Sequence, residues 1–163
     1  MTIETLDDLF LHTLKDVLYA ERKILKSLPR MERKVTDSEL KEAFSKHREE
    51  TEEHIVRLEQ VFESLGKPAR GAKCDAMVGL IDEVEGLMAE IDDAETMDVA
   101  LTSLAQAIEH YEIARYASLA AWARQLGKPE AARLLKSTLD EEQVAEKALT
   151  RMAERRLNAL ADA

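Results

Sequence analysis

Apolar residues recur at spacings of three and four along nearly the whole chain, and long runs contain neither Gly nor Pro. That period is the mark of helices that turn one face to a core. The first helix is expected from about Thr5 to Lys34, with Leu6, Leu9, Val17, Leu18, Ile24, Leu25, Leu28 and Met31 in its stripe. Pro29 lies inside that span and is expected to kink the helix or end it early. Thr36 or Asp37 can cap a second helix carrying Leu40, Ala43, Phe44, Leu58, Val61, Phe62 and Leu65. The stretch LGKP at 65–68 closes it, because Gly66 can turn left-handed and Pro68 blocks continuation. After the polar linker ARGAK, a shorter helix is predicted over about Asp75 to Ile91. A third long helix begins near Thr96 and stops at a second LGKP, and the last runs from Glu130 to near the C-terminus. No stretch alternates with period two, so the chain reads as all-α, a single domain over residues 1–163.

Helices of roughly 25–30 residues are about 40–45 Å long at 1.5 Å rise per residue. Short turns at 35–38 and 127–129 make two antiparallel hairpins. The connector between the hairpins contains the short helix and can carry the chain back along the bundle. A four-helix bundle with one long crossover is the ferritin-like arrangement.

Polar residues then interrupt every stripe at one level. Glu21 falls between Val17, Leu18, Ile24 and Leu25. On the second helix the stripe passes from Phe44 through His47, Glu50 or Thr51, and His54 to Leu58. Glu112 interrupts the third, with Glu109 one turn earlier, and Glu142 lies between Leu135, Leu139 and Leu149. Glu21 and Glu50 are nearly equidistant from the first turn, and Glu112 and Glu142 from the second, so the hairpins bring them together at mid-bundle. Carboxylates at one dry level repel, and burying an unpaired ion costs several kcal/mol. Divalent cations answer that problem, since carboxylate oxygens and imidazole nitrogens suit Fe and Mn. The competing readings are metal-free: core histidines bonded to neighbouring carboxylates, or an internal salt bridge from Arg115 to Glu112. Glu53 and Glu146 are expected to face solvent, and Tyr19, Tyr111 and Trp122 to be plain core.

Composition narrows the partners. A net charge of −10 opposes nucleic acid, which needs clustered Lys and Arg, and opposes an anionic membrane surface. No apolar run approaches the roughly 18 residues needed to span a bilayer. The acidic start, MTIETLDDLF, resembles no targeting segment. Cys74, the single cysteine, has no internal disulfide partner, which fits a reducing cytoplasm. It sits beside a polar linker and reads as an ordinary surface thiol.

The stretches YAERKIL, HREETEEHIVRLEQVFESLG, AIEHYEIARYASLAAWARQLG and LLKSTLDEEQ resemble the YciE/YciF-type stress proteins of bacteria, a ferritin-like family. The resemblance covers nearly the whole chain, and EHYEIA followed by a Leu-Gly stop is its most specific part. It implies a rubrerythrin-like four-helix bundle with an additional helix, commonly dimeric, and a dinuclear metal site. Carried onto this chain, the ferritin-type carboxylates are Glu21, Glu50, Glu112 and Glu142, and Glu109 with Glu112 matches the paired glutamates of rubrerythrin's third helix. The chain departs from the Glu-x-x-His pattern of such bundles. The histidine after Glu50 comes at four, His54; His47 precedes Glu50 by three; and Glu142 is followed by Ala145 and Glu146.

Two functions follow as expectations. In the first, two Fe or Mn ions are bridged by Glu50 and Glu142, with Glu21 and Glu112 as terminal ligands, His54 or His47 as nitrogen donor and Glu109 as an extra carboxylate. Such a site would react with peroxide or dioxygen in a cytoplasmic stress response. In the second, the chain is a non-catalytic helical scaffold whose metal site has become a buried polar network. A homodimer is expected from the resemblance and from the wide apolar face of the short helix, with Met77, Leu80, Ile81, Val84, Leu87 and Met88.

Overall fold

Thr5 opens the first helix with a capping box. Its hydroxyl accepts from Asp8 N at 3.1 Å, and the Asp8 carboxylate accepts from Thr5 N at 3.0 Å. In the computed structural model, which describes residues 2–161, this helix α1 spans Leu6–Lys34. It does not end at Pro29. The helix continues because Leu28, Met31 and Val35 beyond and beside the proline are buried. Burying such side chains stabilises by about 1.5–3 kcal/mol each, enough to offset the ~3 kcal/mol a mid-helix proline costs.

Asp37, rather than Thr36, caps α2 (Ser38–Ser64), accepting from Leu40 N at 2.9 Å. Both LGKP stops then use the same backbone device. Gly66 and Gly127 stand at φ 63° and 67°, and Lys67 N and Lys128 N reach back to Phe62 O at 3.0 Å and Ala123 O at 2.9 Å. Cys74 caps α3 (Asp75–Glu90), Asp93 caps α4 (Ala94–Gln125), and Pro129 opens α5 (Pro129–Ala161) at the position where a missing N–H costs nothing.

α1 packs on α2 and α4 on α5, α2 lies beside α5 and α1 beside α4, so four helices close a ring. The 65–93 segment returns the chain to the end where α2 began, which makes α2 and α4 parallel. This is the ferritin-like four-helix bundle with one long crossover. Among the described residues, no helix is long and apolar enough to cross a membrane.

Two expectations change here. α3 packs against α1 and α4 with Met77, Ile81, Val84 and Met88 buried and Leu80 and Leu87 partly so. Its wide apolar face is therefore used largely within the chain, with Leu80 and Leu87 left partly exposed. Cys74 is not a surface thiol. It is buried, with Sγ 3.0 Å from the Tyr111 hydroxyl, because its capping role turns the side chain inward under α4.

The core is divided along its length. One apolar cluster holds Phe10, Leu14, Leu18, Phe62, Leu119 and Leu135, and a second holds Ile24, Met31, Phe44, Leu101, Ile108 and Leu149. What separates them is a polar layer.

Candidate metal centre

Where the two clusters meet, core positions carry acids and histidines. Glu21 of α1, His47 and His54 of α2, Glu109 and Glu112 of α4 and Glu142 of α5 are each no more than 7% exposed. Local helix geometry places them. Glu109 and Glu112 are one turn apart, and His47 and His54 two turns apart, each pair on one face. The α2 stripe runs through His47, Thr51, His54 and Leu58, and Thr51, whose hydroxyl donates to His47 O at 2.8 Å, takes the position that Glu50 could have held.

The layer contains two overlapping groups. His47, Glu109, Glu112 and Glu142 offer ligand atoms that all lie within 4.8 Å of one another, and so do Glu21, His54 and Glu142. Glu142 is common to both. His47 Nδ1 lies 3.3 Å from Glu109 Oε1 and its Nε2 lies 3.8 Å from Glu112 Oε2. His54 Nδ1 faces Glu142 Oε1 at 3.1 Å and Glu21 Oε1 at 3.4 Å. The two histidines thus belong to different groups, and neither group is carboxylate-only.

A surrounding set of residues orients these side chains. Glu141 holds His54 Nε2 at 2.9 Å and is itself gripped by Arg57 in a two-point pair at 2.6 and 2.8 Å. A carboxylate on one ring nitrogen aims the other at the interior, the arrangement that metal-binding histidines use. The buried Tyr116 hydroxyl donates to Glu21 Oε1, and burial pushes that hydroxyl well above its ordinary range, so it stays a donor. Tyr116→Phe should lower metal-free stability by about 1–3 kcal/mol, the cost of leaving a buried acceptor unpaired. A lower urea midpoint at unchanged slope is the expected reading.

Electrostatics show what this layer lacks. Burial pushes the Glu109 and Glu112 carboxyls well above the usual range, and the neighbouring charge on Glu142 adds to it. Burial opposes a charge on His54, but Glu21 and Glu142 outweigh it and raise the imidazolium to about 11. Burial likewise opposes a charge on Glu142, yet the polar groups of His54 and Glu109 beside it hold it below its ordinary value.

Among the described residues, ten buried side-chain N or O atoms have no hydrogen-bond partner, and nine of them belong to these six residues. His47 and His54 face these carboxylates at 3.1–3.8 Å, yet each buried polar atom left unsatisfied costs about 1–3 kcal/mol, a sizeable part of the ~5–15 kcal/mol by which a whole domain is stable. The same chain satisfies a buried acid elsewhere. Asp98 receives Thr36 N at 2.7 Å, Thr36 Oγ1 at 2.8 Å, Asp37 N at 3.1 Å and Arg156 at 3.2 Å. Oxygen and nitrogen donors converging without partners fit a hard or borderline divalent cation, so this cluster could hold metal ions.

The remaining expected residues fall as follows. Glu50 stands outside both groups, half-buried, with Oε1 3.1 Å from Lys46 Nζ. Glu53 is exposed. Glu146 is half-buried and accepts from Thr150 at 2.5 Å. Arg115 is exposed over the Tyr111 ring, its guanidinium 5.2 Å from the centroid, so the internal salt bridge to Glu112 does not form. Tyr19, Tyr111 and Trp122 are partly buried against the apolar clusters. Glu141, Arg57 and Tyr116 were not singled out from the sequence. Tyr116 had a signal, since it continues the stripe of Glu109, Glu112 and Leu119. Arg57 follows His54 by three and shares its face.

Residues 5–162 match the family described as "Domain of unknown function (DUF892)". The chain is 40% identical to Protein YciF of Escherichia coli (strain K12), over 99% of this chain and 98% of that protein. The crystal structure of the E. coli stress protein YciF matches with a TM-score of 0.91, covering 96% of this chain and 99% of its own. YcfI from Rhodopseudomonas palustris matches at 44% identity and a TM-score of 0.89, over 91% of this chain and 94% of its own. A Xanthomonas campestris protein at 21% identity, with a TM-score of 0.76, shares the fold.

Proposed function

Since the chain belongs to the DUF892 family and is similar to a stress protein of E. coli, we propose that it is a di-metal carboxylate protein that reacts with peroxide or dioxygen under stress. The observation that carries this reading is the set of nine buried polar atoms without a hydrogen bond on six residues of one layer. One Fe or Mn ion would be held by His47, Glu109 and Glu112, the other by His54 and Glu21, with Glu142 shared between them. When bound, such ions supply one-electron redox capacity and Lewis acidity towards a small oxidant. The chain's own residues do the rest. Arg57 and Glu141 fix the His54 ring, Tyr116 holds Glu21, and the apolar clusters flank the layer on both sides. Burial favours the protonated form of Glu109 and Glu112, and any proton they hold is released when a cation replaces it. Glu50 would join only by changing rotamer away from Lys46.

The test is anaerobic loading with Fe(II) followed by peroxide. Oxidation absorbing in the near ultraviolet should run faster than that of free Fe(II) in the same buffer. Glu112→Ala should slow it at least about tenfold, the scale seen on weakening a metal shell, and Glu50→Ala should slow it less. Oxidation no faster than for the free ion would sink the proposal.

A second reading, a helical scaffold with a vestigial polar network, is favoured by one observation: a protonated His54 between Glu21 and Glu142 already supplies an internal cation. The Rhodopseudomonas palustris relative also carries the provisional description of a structural protein. Metal content of protein purified without chelator separates the two. A homodimer in the cytoplasm completes the proposal. With most of the α3 face packed within the chain, its main support is the family resemblance, and light scattering at tens of micromolar should read twice the 18.4 kDa chain mass.

A further inference from the structure

The polar layer is reached from one side by a cavity of about 400 Å³ that opens between α2 and α5, within the size range of small-molecule sites. Its walls are apolar, with Ile24, Leu28, Met31, Phe44, Leu149 and Met152. Small side chains leave the space open: Ala43, Ala105, Ala145 and Ala148 line it, where larger residues would have filled it. Ala145 stands three residues after Glu142, where a Glu-x-x-His bundle places its fourth-helix histidine. The departure from that pattern therefore coincides with room beside the candidate metal centre.

The two ends of the cavity differ in chemistry. At its inner end lie His47 and Glu109, 7% and 2% exposed, and both His47 ring nitrogens and Glu109 Oε2 lack a hydrogen-bond partner. At its outer edge stand Glu39, Glu42, Lys46 and Glu50. Lys46 is paired with Glu50 and Glu39 with Arg155, while Glu42 has no salt-bridge partner among the described residues. An anionic ligand would pass an acidic rim and end against buried carboxyls, losing hydration without a compensating charge. A cationic head would compete for the carboxylates that hold the metal. Apolar space of this size gains most from an apolar occupant.

We infer that the cavity binds a neutral, mainly aliphatic molecule with one small hydrogen-bonding end group placed against His47 and Glu109. As the substrate class of the proposed centre this rests on the metal reading, but binding itself needs no metal. The test uses the metal-free full-length protein with its methionine methyls labelled with carbon-13 and titrated with 1-decanol. The Met31 and Met152 methyls, which line the cavity, should shift saturably, while Met77, Met88 and Met97, which pack around α3, should not. Decanoate should bind at least about tenfold more weakly, a difference of roughly 1.4 kcal/mol. Ala148→Phe should reduce decanol binding by a similar factor with the helical circular dichroism retained, and Ala145→Leu serves if that variant does not fold. Absence of saturable shifts at Met31 and Met152, equal shifts at all five methyls, or equal binding of decanoate would each overturn the inference. So would the same two shifts on concentrating the protein without alcohol, which would give this face to a second copy of the chain. Decanol binding by protein that takes up no metal would sink the metal reading alone. Metal uptake without decanol binding would sink the cavity proposal alone.

Discussion

Fe(II) or Mn(II) at a hundredfold excess over the dissociation constant should stabilise the chelator-treated protein by about 2.7 kcal/mol. For a chain of this length that corresponds to a rise of roughly 5–10 °C in thermal midpoint. The gap between loaded and metal-free protein should also widen as pH rises. Burial, reinforced by Glu142, raises the Glu109 and Glu112 carboxyls above their ordinary 4.5, so the folded metal-free chain binds protons that the unfolded chain has released. Their contribution to stability is lost as pH rises above that ordinary value. His54 acts with the same sign. Burial opposes its charge, but Glu21 and Glu142 raise it from 6.5 to about 11, so its contribution is complete below 6.5 and lost as pH climbs through the folded value. Glu142, held below its ordinary 4.5 by the neighbouring His54 and Glu109 despite burial, contributes above that pH and loses its part only in acid. Between about pH 6 and 8 the metal-free protein should therefore weaken with rising pH. Metal binding strengthens over the same range, because cations displace those protons. Midpoints that coincide with and without metal throughout this range would count decisively against the centre.

Removing Glu142 should cost both ions at once, because it alone belongs to both ligand groups. Glu142→Leu is expected to reduce the stoichiometry from two ions per chain to none, with affinity falling by more than about a hundredfold. Glu109→Gln should remove mainly the ion beside His47, and His54→Ala mainly the other. The metal-free protein should respond differently. Glu142 faces His54 Nδ1 at 3.1 Å but disfavours charge on Glu109 and Glu112, and Glu21 remains beside His54 when it is removed. Replacing a buried charge by an apolar group of similar volume is often neutral or stabilising, so the unloaded variant should unfold within about 1 kcal/mol of the parent or later. Elemental analysis and urea unfolding of the same samples measure both quantities. Two ions still bound to Glu142→Leu would refute the shared-ligand assignment.

Local physics made much of this protein legible in its sequence. The 3.6-residue period, the Asp and Thr caps and the two Leu-Gly stops act within one turn of chain, and they determined five helices, two hairpins and one crossover. Acids and histidines interrupting an apolar stripe marked Glu21, His47, Glu50, His54, Glu109, Glu112 and Glu142 as a mid-bundle layer, and all but Glu50 lie in it. Tertiary structure alone decided the rest. Glu50 and Thr51 are about 100° apart on α2, within the width of one stripe, and only the rotation imposed by α1 and α5 put Thr51 inside. The pairing of Glu141 with His54 and Arg57, separated by 87 and 84 residues, depends on helices that no local signal connects. So does the hydroxyl of Tyr116 on Glu21, 95 residues away. Pro29 stayed helical and Cys74 went inside for the same reason: burial against remote helices outweighed the local preference of each residue.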